Sequence, residues 1–555
     1  MWRRTVAEAC LLGVPVVWMY IILDQRTLHE GSPLLQSLYL AIAVMSVLVL
    51  GGAILTIAPC RLPRSVKQHS RAEADSGILI GVAIVPIVIC SRLLIDVSAG
   101  TQSEYAIVHV WLSLVLGMSS LLRVLFMTPW SIATAAVESV ILHGMCLIIQ
   151  APAGMFVVHV HAALHLYNVL LYHGLVAVSR SFTYGEAMVV SQGMTFLIMD
   201  AILYTLQQGG ALHQAEPYAI PPRDGIAIVL QIGLIVSVLL LPLLCVPLFH
   251  VYGTSTPRIV RPTLPPSPTA LFVGLVGFVA VVFTAWTSLL LDTTLWTWVV
   301  DVFLVPSKVG VAAYWATTLV AVVPLCPILA RRWSLRQIVA RKLYHFVVVL
   351  LFLPVTFVDV DMLRLSYGVA VGVFIVVECI RALAAPPFGR SIALYMRMYL
   401  DHRDDGRLIL SHTYLLLGCA LPLWILYPTS STTNLDESTS MASAALISNA
   451  GVLALGIGDA MGATIGSMWG ATKVVGNKSL EGSVAVFVSM GAASLVCHSY
   501  HVDLFLYGRY APVIQWLGAT LVTAMLEAVT CQIDNLVLPL YYCATLCLTA
   551  CSLYP

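Results

Sequence analysis

Apolar runs of about 18 to 25 residues recur along nearly the whole chain, separated by short polar connectors. The runs centre on residues 9–24, 34–58, 77–95, 105–126, 131–150, 154–178, 186–205, 226–250 and 269–291. They continue at 309–330, 343–358, 365–384, 409–427, 442–457, 483–498, 511–530 and 535–552. Runs of this length, recurring along the chain, predict an all-α, polytopic transmembrane protein with about 15–17 spans. The N-terminal stretch has a basic start, but Trp18, Met19 and Tyr20 make a poor cleavage site, so it is expected to be a retained first span. No internal repeat of the transporter kind is visible.

Polar interruptions divide the chain into 1–254, a proline-rich linker 255–269, intermediate spans 270–329 and a C-terminal region 330–555. In that last region the basic residues are concentrated in particular connectors. Arg331, Arg332, Arg336, Arg341 and Lys342 precede one span, and Arg390, Arg397, Arg403 and Arg407 follow the next. The positive-inside rule puts both connectors in the cytoplasm. Parity then brings Lys473, Lys478 and the stretch LEAVTCQIDN (526–535) to the same face. The acidic or Ser/Thr-rich loops at 358–364 and 428–440 fall on the other face. Four polar clusters are thus expected at one membrane surface.

Composition narrows the class. The chain of 555 residues is 59% hydrophobic and 10% charged, with a net charge of +1, so no basic field argues for nucleic acid as a partner. Thirteen cysteines scattered singly suggest neither a disulfide framework nor a zinc site. His159, His161, His165 and His173 have metal-like spacing without accompanying carboxylates, which favours histidines of the helical core.

The stretch GDAMGATIGSMWGATKVVGNKSLEG (458–482) departs most from its surroundings. Gly458, Gly462, Gly466 and Gly470 recur every four residues and suit close helix packing. Asp459 beside them is costly in a membrane helix, which points to a role. Downstream, Lys473, Gly476, Asn477, Lys478, Ser479, Glu481 and Gly482 offer freed amides, a helix start and point charges, the requirements of a polyphosphate. Asp459, Glu481 and Asp534 are candidate ligands for an accompanying divalent cation, Mg²⁺ being the natural choice. The Walker A spacing is absent.

Arg341 and His345 lie four apart on one helical face beside Lys342, as an anchor at a span entrance or a phosphate-facing group. DHRDDGRLILSHTY places Asp401, Arg403 and Asp404 in one charged loop, either simply solvated or a source of acid, base and cation. Asp534 either caps the last helix or joins the site.

Taken in order, ARKLYHF, DHRDDGRLILSHTYLLLGCALPLW, AGVLALGIGDAMGATIGSMWGATKVVGNKSLEG and LEAVTCQIDNLVLPLY resemble the dolichol kinase family, the CTP-using polyprenol kinases. The likeness covers about 330–545. It implies transfer of the γ-phosphoryl group of CTP to dolichol at the cytoplasmic face of the endoplasmic reticulum membrane, giving dolichyl phosphate for protein glycosylation. It also implies CTP binding by Gly458, Asp459, Gly466, Gly470, Gly476, Lys478, Ser479, Glu481 and Gly482. Catalytic roles are expected for Asp459, Lys478, Asp404, Asp401, Arg403, Arg341, Lys342 and His345. The family commonly has alanine at Gly462 and two adjacent lysines where Asn477 precedes the single Lys478, so Lys473 is the candidate to compensate. The expected partners are dolichol and membrane lipid. Another CTP-dependent lipid kinase, a lipid cytidylyltransferase, or a transporter with charges along its path are the competing readings.

Overall fold

A computed structural model describes residues 2–25, 33–57, 62, 64–71, 75–100, 103–126, 131–148, 155–211, 220–252, 268–396, 408–427, 437–476, 478–500 and 510–553. The predicted linker 255–269 and the charged stretch 397–407 therefore lie wholly or largely outside the described residues. Among them the chain is helical, with a single isolated β-bridge and no sheet strand. Thirteen helices are long and apolar enough to cross a bilayer, and Ser411–Leu426 and Val513–Val529 are shorter apolar helices. Ile132–Ile148 and Met155–Ala177 occupy the two remaining predicted spans.

One predicted boundary is corrected. The run expected to end at 457 instead continues as the apolar helix Val452–Trp469, which carries Gly458, Gly462 and Gly466 inside a span. Its first part, Val452–Asp459, is a π-helix, and Ala460–Trp469 resumes α geometry. Hydropathy breaks at Asp459, but the helix continues because that carboxylate is paired with a neighbouring helix. The glycine face packs on Leu480–Ser499: a Cβ on Gly462 would lie 2.5 Å from Val486 Cγ2, and one on Gly458 2.6 Å from Met490 Sδ.

The most enclosed span is Asp534–Ser552, 89% of whose most apolar window is buried. It packs against Ile78–Ser98, Ser411–Leu426, Val513–Val529 and Trp2–Gln25, so helices from both ends of the sequence share one core. Without water in the hydrocarbon layer, its polar groups are satisfied within the protein. The Tyr542 hydroxyl lies 3.0 Å from both Ser494 Oγ and Thr520 Oγ1, and the Tyr541 hydroxyl donates to Leu11 O at 2.6 Å. At the periphery, Thr269–Leu290 and Pro306–Arg332 present mostly apolar exposed faces, as lipid contact requires.

Helix starts are set by local chemistry. Thr183 and Glu186 form a reciprocal capping box at Tyr184–Gln208. Asp224 caps the helix from Gly225, and Ser479 caps Leu480–Ser499 by accepting from Gly482 N at 3.2 Å. Asp359 accepts from Met362 N at 2.8 Å and binds Lys308 Nζ with both oxygens at 3.0 Å, tying Pro306–Arg332 to Val360–Ala382.

Candidate functional site

Lys342 and His345 lie three residues apart on Gln337–Phe352, hence on one face, and that face meets the end of the π-helical segment. There the Lys342 ammonium binds Asp459 Oδ2, and His345 Nε2 lies 3.4 Å from the same oxygen. Lys342 Nζ and His345 Nε2 are 3.5 Å apart. His345 and Asp459 are buried. A π turn adds a residue to the helical circuit and so changes where the following side chains point, and such turns gather at functional sites. Arg341 is half-buried one residue before Lys342.

Beyond Trp469 the chain leaves the span and doubles back. Val474 N donates to Lys478 O at 3.0 Å, Lys478 N to Val475 O at 3.0 Å, and Leu480 N to Thr472 O at 2.8 Å. Lys473 and Ser479 form the isolated bridge. This small hairpin turns at Gly476, whose φ of +58° only glycine adopts without strain. The hairpin delivers Lys478 inward, where its ammonium binds Glu527 O and, at 2.7 Å, Glu527 Oε1, with Asp534 Oδ1 at 3.7 Å. Burial opposes the charge, but the Asp534 and Glu527 carboxylates outweigh it and hold the Lys478 pKa above its ordinary value. Asp459 is also within electrostatic range of Lys478 and Glu527, so the two clusters form one charged region.

The predicted residues divide accordingly. Lys342, His345 and Asp459 form one cluster and Lys478 and Asp534 belong to another, the two within electrostatic range. Gly466 and Gly470 lie against Ser479: an added Cβ would come within 3.1 Å and 2.4 Å of its Oγ. Gly482 sits on the same glycine seam. Glu481 does not join Asp459: its carboxylate accepts the exposed Thr472 N at 3.0 and 3.2 Å and so braces the hairpin. Among the described residues no group of three His, Cys, Asp or Glu side chains gathers. Lys473 lies on the exposed outer strand of the hairpin. Asp401, Arg403, Asp404 and Asn477 lie outside the described residues.

Glu527, from the LEAVTCQIDN stretch expected at this face, is the nearest partner of Lys478. Sequence reasoning passed over other contributors. Glu8, buried on Trp2–Gln25, lies within electrostatic range of Lys478, and its signal was a glutamate in the second turn of an apolar run. Nearby, Arg4 binds Asp75 at 2.7 Å, and Gln532 binds Thr183 at 3.0 Å. These last contacts have no local sequence signature.

The fold and this charged region define a class, an all-α polytopic membrane protein with an ionic site where several helices end. The chain is similar to a dolichol kinase of Arabidopsis thaliana, 29% identical over 528 residues, which span 86% of this chain and 89% of the relative. It is similar to a dolichol kinase of Mus musculus, 30% identical over 390 residues, covering 68% of this chain and 66% of that one. A Schizosaccharomyces pombe dolichol kinase is 40% identical over 205 residues, covering 36% and 37%. No family model and no solved structure matches. The chain belongs to the dolichol kinase family.

Proposed function

We propose that the protein is a CTP-dependent dolichol kinase of the endoplasmic reticulum membrane, its site open to the cytoplasm and its product the lipid carrier for protein glycosylation. The observation that carries this reading is the joining of Lys342, His345 and Asp459 to Lys478, Glu527 and Asp534 in a chain of this family. A long isoprenoid keeps its tail in lipid while its hydroxyl meets a soluble nucleotide, and a charged region built at span ends suits that meeting.

The transfer joins the dolichol hydroxyl oxygen to the γ-phosphorus and breaks the bond from that phosphorus to the β,γ-bridging oxygen. CDP leaves, and the hydroxyl proton passes to a base. Such chemistry needs alignment and charge neutralisation more than covalent help. An ammonium has three donors. Glu527 takes two from Lys478, which leaves one for a phosphate oxygen. Lys342, held by Asp459, is placed to act likewise, with Arg341 and Arg403 as further cations. Asp404 or Asp401 takes the hydroxyl proton in this scheme. Gly466, Gly470 and Gly482 let the backbone lie close around Ser479, at the start of a helix whose dipole favours an anion.

Beside Lys342 and Lys478 the region carries the carboxylates of Asp459, Glu527 and Asp534. A donor set of carboxylate oxygens fits a hard divalent cation. When bound, such a cation neutralises phosphate charge and polarises the transferred group. Asp459, whose contacts with Lys342 and His345 both fall on Oδ2, and Asp534 are the residues to hold it.

The test is an assay of membranes containing the chain, with dolichol and either CTP or ATP labelled at the γ-phosphate. Dolichyl phosphate labelled from CTP alone is expected. Label entering lipid only from α-labelled CTP would instead make the protein a cytidylyltransferase, and no transfer from either nucleotide would sink the kinase reading.

A further inference from the structure

A cavity of 370 Å³ lies where Gly225–Phe249, Thr269–Leu290 and Val360–Ala382 meet. That volume is in the range of small-molecule sites, about 300–1,000 Å³. Val236 and Ser237 on its floor belong to the π-helical segment Ile235–Leu240. The other π-helical segment among the described residues is the one that ends on Asp459, and such turns gather at functional sites. Gly368 and Gly372, a turn apart, bring Val360–Ala382 against the floor: a Cβ on Gly368 would lie 2.4 Å from Leu230 Cδ1, and one on Gly372 3.5 Å from Ser237. On the opposite flank Gly233 faces the Phe283 ring, 3.6 Å from an added Cβ.

The lining settles what kind of molecule fits. Valine is its commonest residue, and the branched Cβ holds one rotamer in a helix, so the walls are stiff and the cavity is preformed. No charged residue lines it, and the Ser237 hydroxyl is engaged in donating to Gly233 O at 2.6 Å. An occupant must therefore be hydrocarbon along its length, since a polar group there would find no partner. Ala280, Val369 and Val373 on the rim are exposed, so the cavity opens sideways into the bilayer.

One end of the cavity is tied to the charged region. Val376 and Val377 are the last lining residues of their helix, and the next residue, Glu378, bonds Arg381 at 2.6 and 2.7 Å and accepts from Ile409 N. Two residues beyond Ile409, Ser411 O accepts from Asn535 Nδ2 at 3.2 Å, and Asn535 adjoins Asp534 beside Lys478. Ser181 and Glu186 brace this path from the N-terminal half. Ser181 Oγ donates to Leu408 O at 3.1 Å, and Glu186 Oε1 accepts from Ile533 N at 3.3 Å. An apolar cavity thus ends close to an ionic cluster, which suits a molecule with one polar terminus and a long tail. With 5% and 11% of their side chains exposed, Glu378 and Arg381 form a buried pair that a bulky charged headgroup would have to displace. A single chain ending in a small neutral hydroxyl meets no such obstacle.

We propose that this cavity is the binding site for the isoprenoid units nearest the hydroxyl of the acceptor. The hydroxyl end points toward Glu378 and the charged region, and the rest of the chain passes out into lipid between Thr269–Leu290 and Val360–Ala382. This rests on the kinase reading given above.

Two experiments on the full chain in membranes test it. A polyprenol carrying a diazirine in its first units, when irradiated, should label the peptides 225–241, 269–290 and 360–382, and excess dolichol but not phosphatidylcholine should remove the label. Gly372→Leu and Ala280→Trp place bulk inside the cavity. Per folded molecule each should raise KM for dolichol about tenfold at unchanged KM for CTP, the low end of the effect of a one-carbon change in an apolar pocket. Val281→Trp, on the same helix as Ala280 and 67% exposed outside the cavity, should keep wild-type constants. Label elsewhere in the chain, or label removed equally by phosphatidylcholine, would overturn the proposal, as would an unchanged KM for dolichol in the folded variants. A wild-type chain that does not phosphorylate dolichol refutes the kinase reading instead, and the labelling alone then decides whether the cavity takes an isoprenoid.

Discussion

Lys478 reaches Glu527 from the inner strand of a small hairpin, its Nζ 2.7 Å from Oε1, and thereby ties an exposed connector to the end of Tyr510–Val529. Lys478→Met leaves Glu527 and Asp534 facing each other without their cation. CTP-dependent activity is expected to fall at least about 100-fold, the scale of losing one aligned charged donor. With 27% of the lysine side chain exposed, stability should fall by only about 1–3 kcal/mol. The raised pKa fixes the pH behaviour. The ammonium's contribution is complete below the unfolded value of about 10.4 and is lost only as pH rises through the higher folded value. Lys478 therefore gives no limb to the pH–rate profile near neutrality, and a conservative Lys478→Arg variant should keep the wild-type shape there.

Asp459 and Lys342 are expected to behave as a unit. Asp459→Asn leaves a largely buried ammonium without its counter-charge, and Lys342→Met does the reverse. Each single variant should lower the yield of folded protein, by an amount corresponding to about 3–5 kcal/mol. The double variant should recover much of the yield while staying inactive. Fluorescence-detected size exclusion reports the yield and the labelled-CTP assay the activity. Activity in Asp459→Asn near the wild-type level would remove Asp459 from the mechanism.

Gly418 probes the packing beneath Asp534. A Cβ there would lie 2.0 Å from Asn535 O, so Gly418→Ala must displace the start of the central helix. The expected cost is about 1–3 kcal/mol, the usual penalty for overpacking. Activity per folded molecule should fall as well, because Asn535 adjoins Asp534. Gly174→Ala is the control: nothing lies within 4 Å of the added carbon, and thermal stability should hold or rise.

The Lys308–Asp359 pair predicts a response to acid remote from the charged region. Burial would raise the Asp359 pKa, but the Met362 amide and Lys308 outweigh it and hold the carboxyl below its ordinary value. Its stabilisation is therefore complete above the unfolded value of about 3.9 and is lost as pH falls through the lower folded value. Asp359→Asn should lower stability by about 1 kcal/mol at neutral pH. The difference in Tm from wild type should shrink on strong acidification, while the labelled-CTP assay at neutral pH stays near wild type.

Span positions were legible because hydropathy reports directly on the solvent of a helix, and the Lys342, His345 and Asp459 cluster was legible because charges in apolar surroundings are rare and costly. The reading failed where an interaction contradicts local composition. Asp459 marked an apparent end of a span, yet its ion pair lets the helix run on to Trp469. Glu481 stands three residues from Lys478 in sequence, but the hairpin turns it toward Thr472 N. The Ser181 and Glu186 contacts end on the backbone of Leu408 and Ile533, and a backbone acceptor or donor has no residue-type signature.

The Tyr541 hydroxyl bonds to Leu11 O across 530 positions of sequence, and Trp18 Nε1 bonds to Ser552 Oγ at 3.1 Å. During synthesis the first helix therefore enters the bilayer long before its permanent neighbour exists. Until Asp534–Leu553 is inserted, the faces of Trp2–Gln25 and Ile78–Ser98 that will enclose it stand against lipid or a membrane chaperone. Completion of this core is thus a late event in biogenesis, waiting on the insertion of Asp534–Leu553.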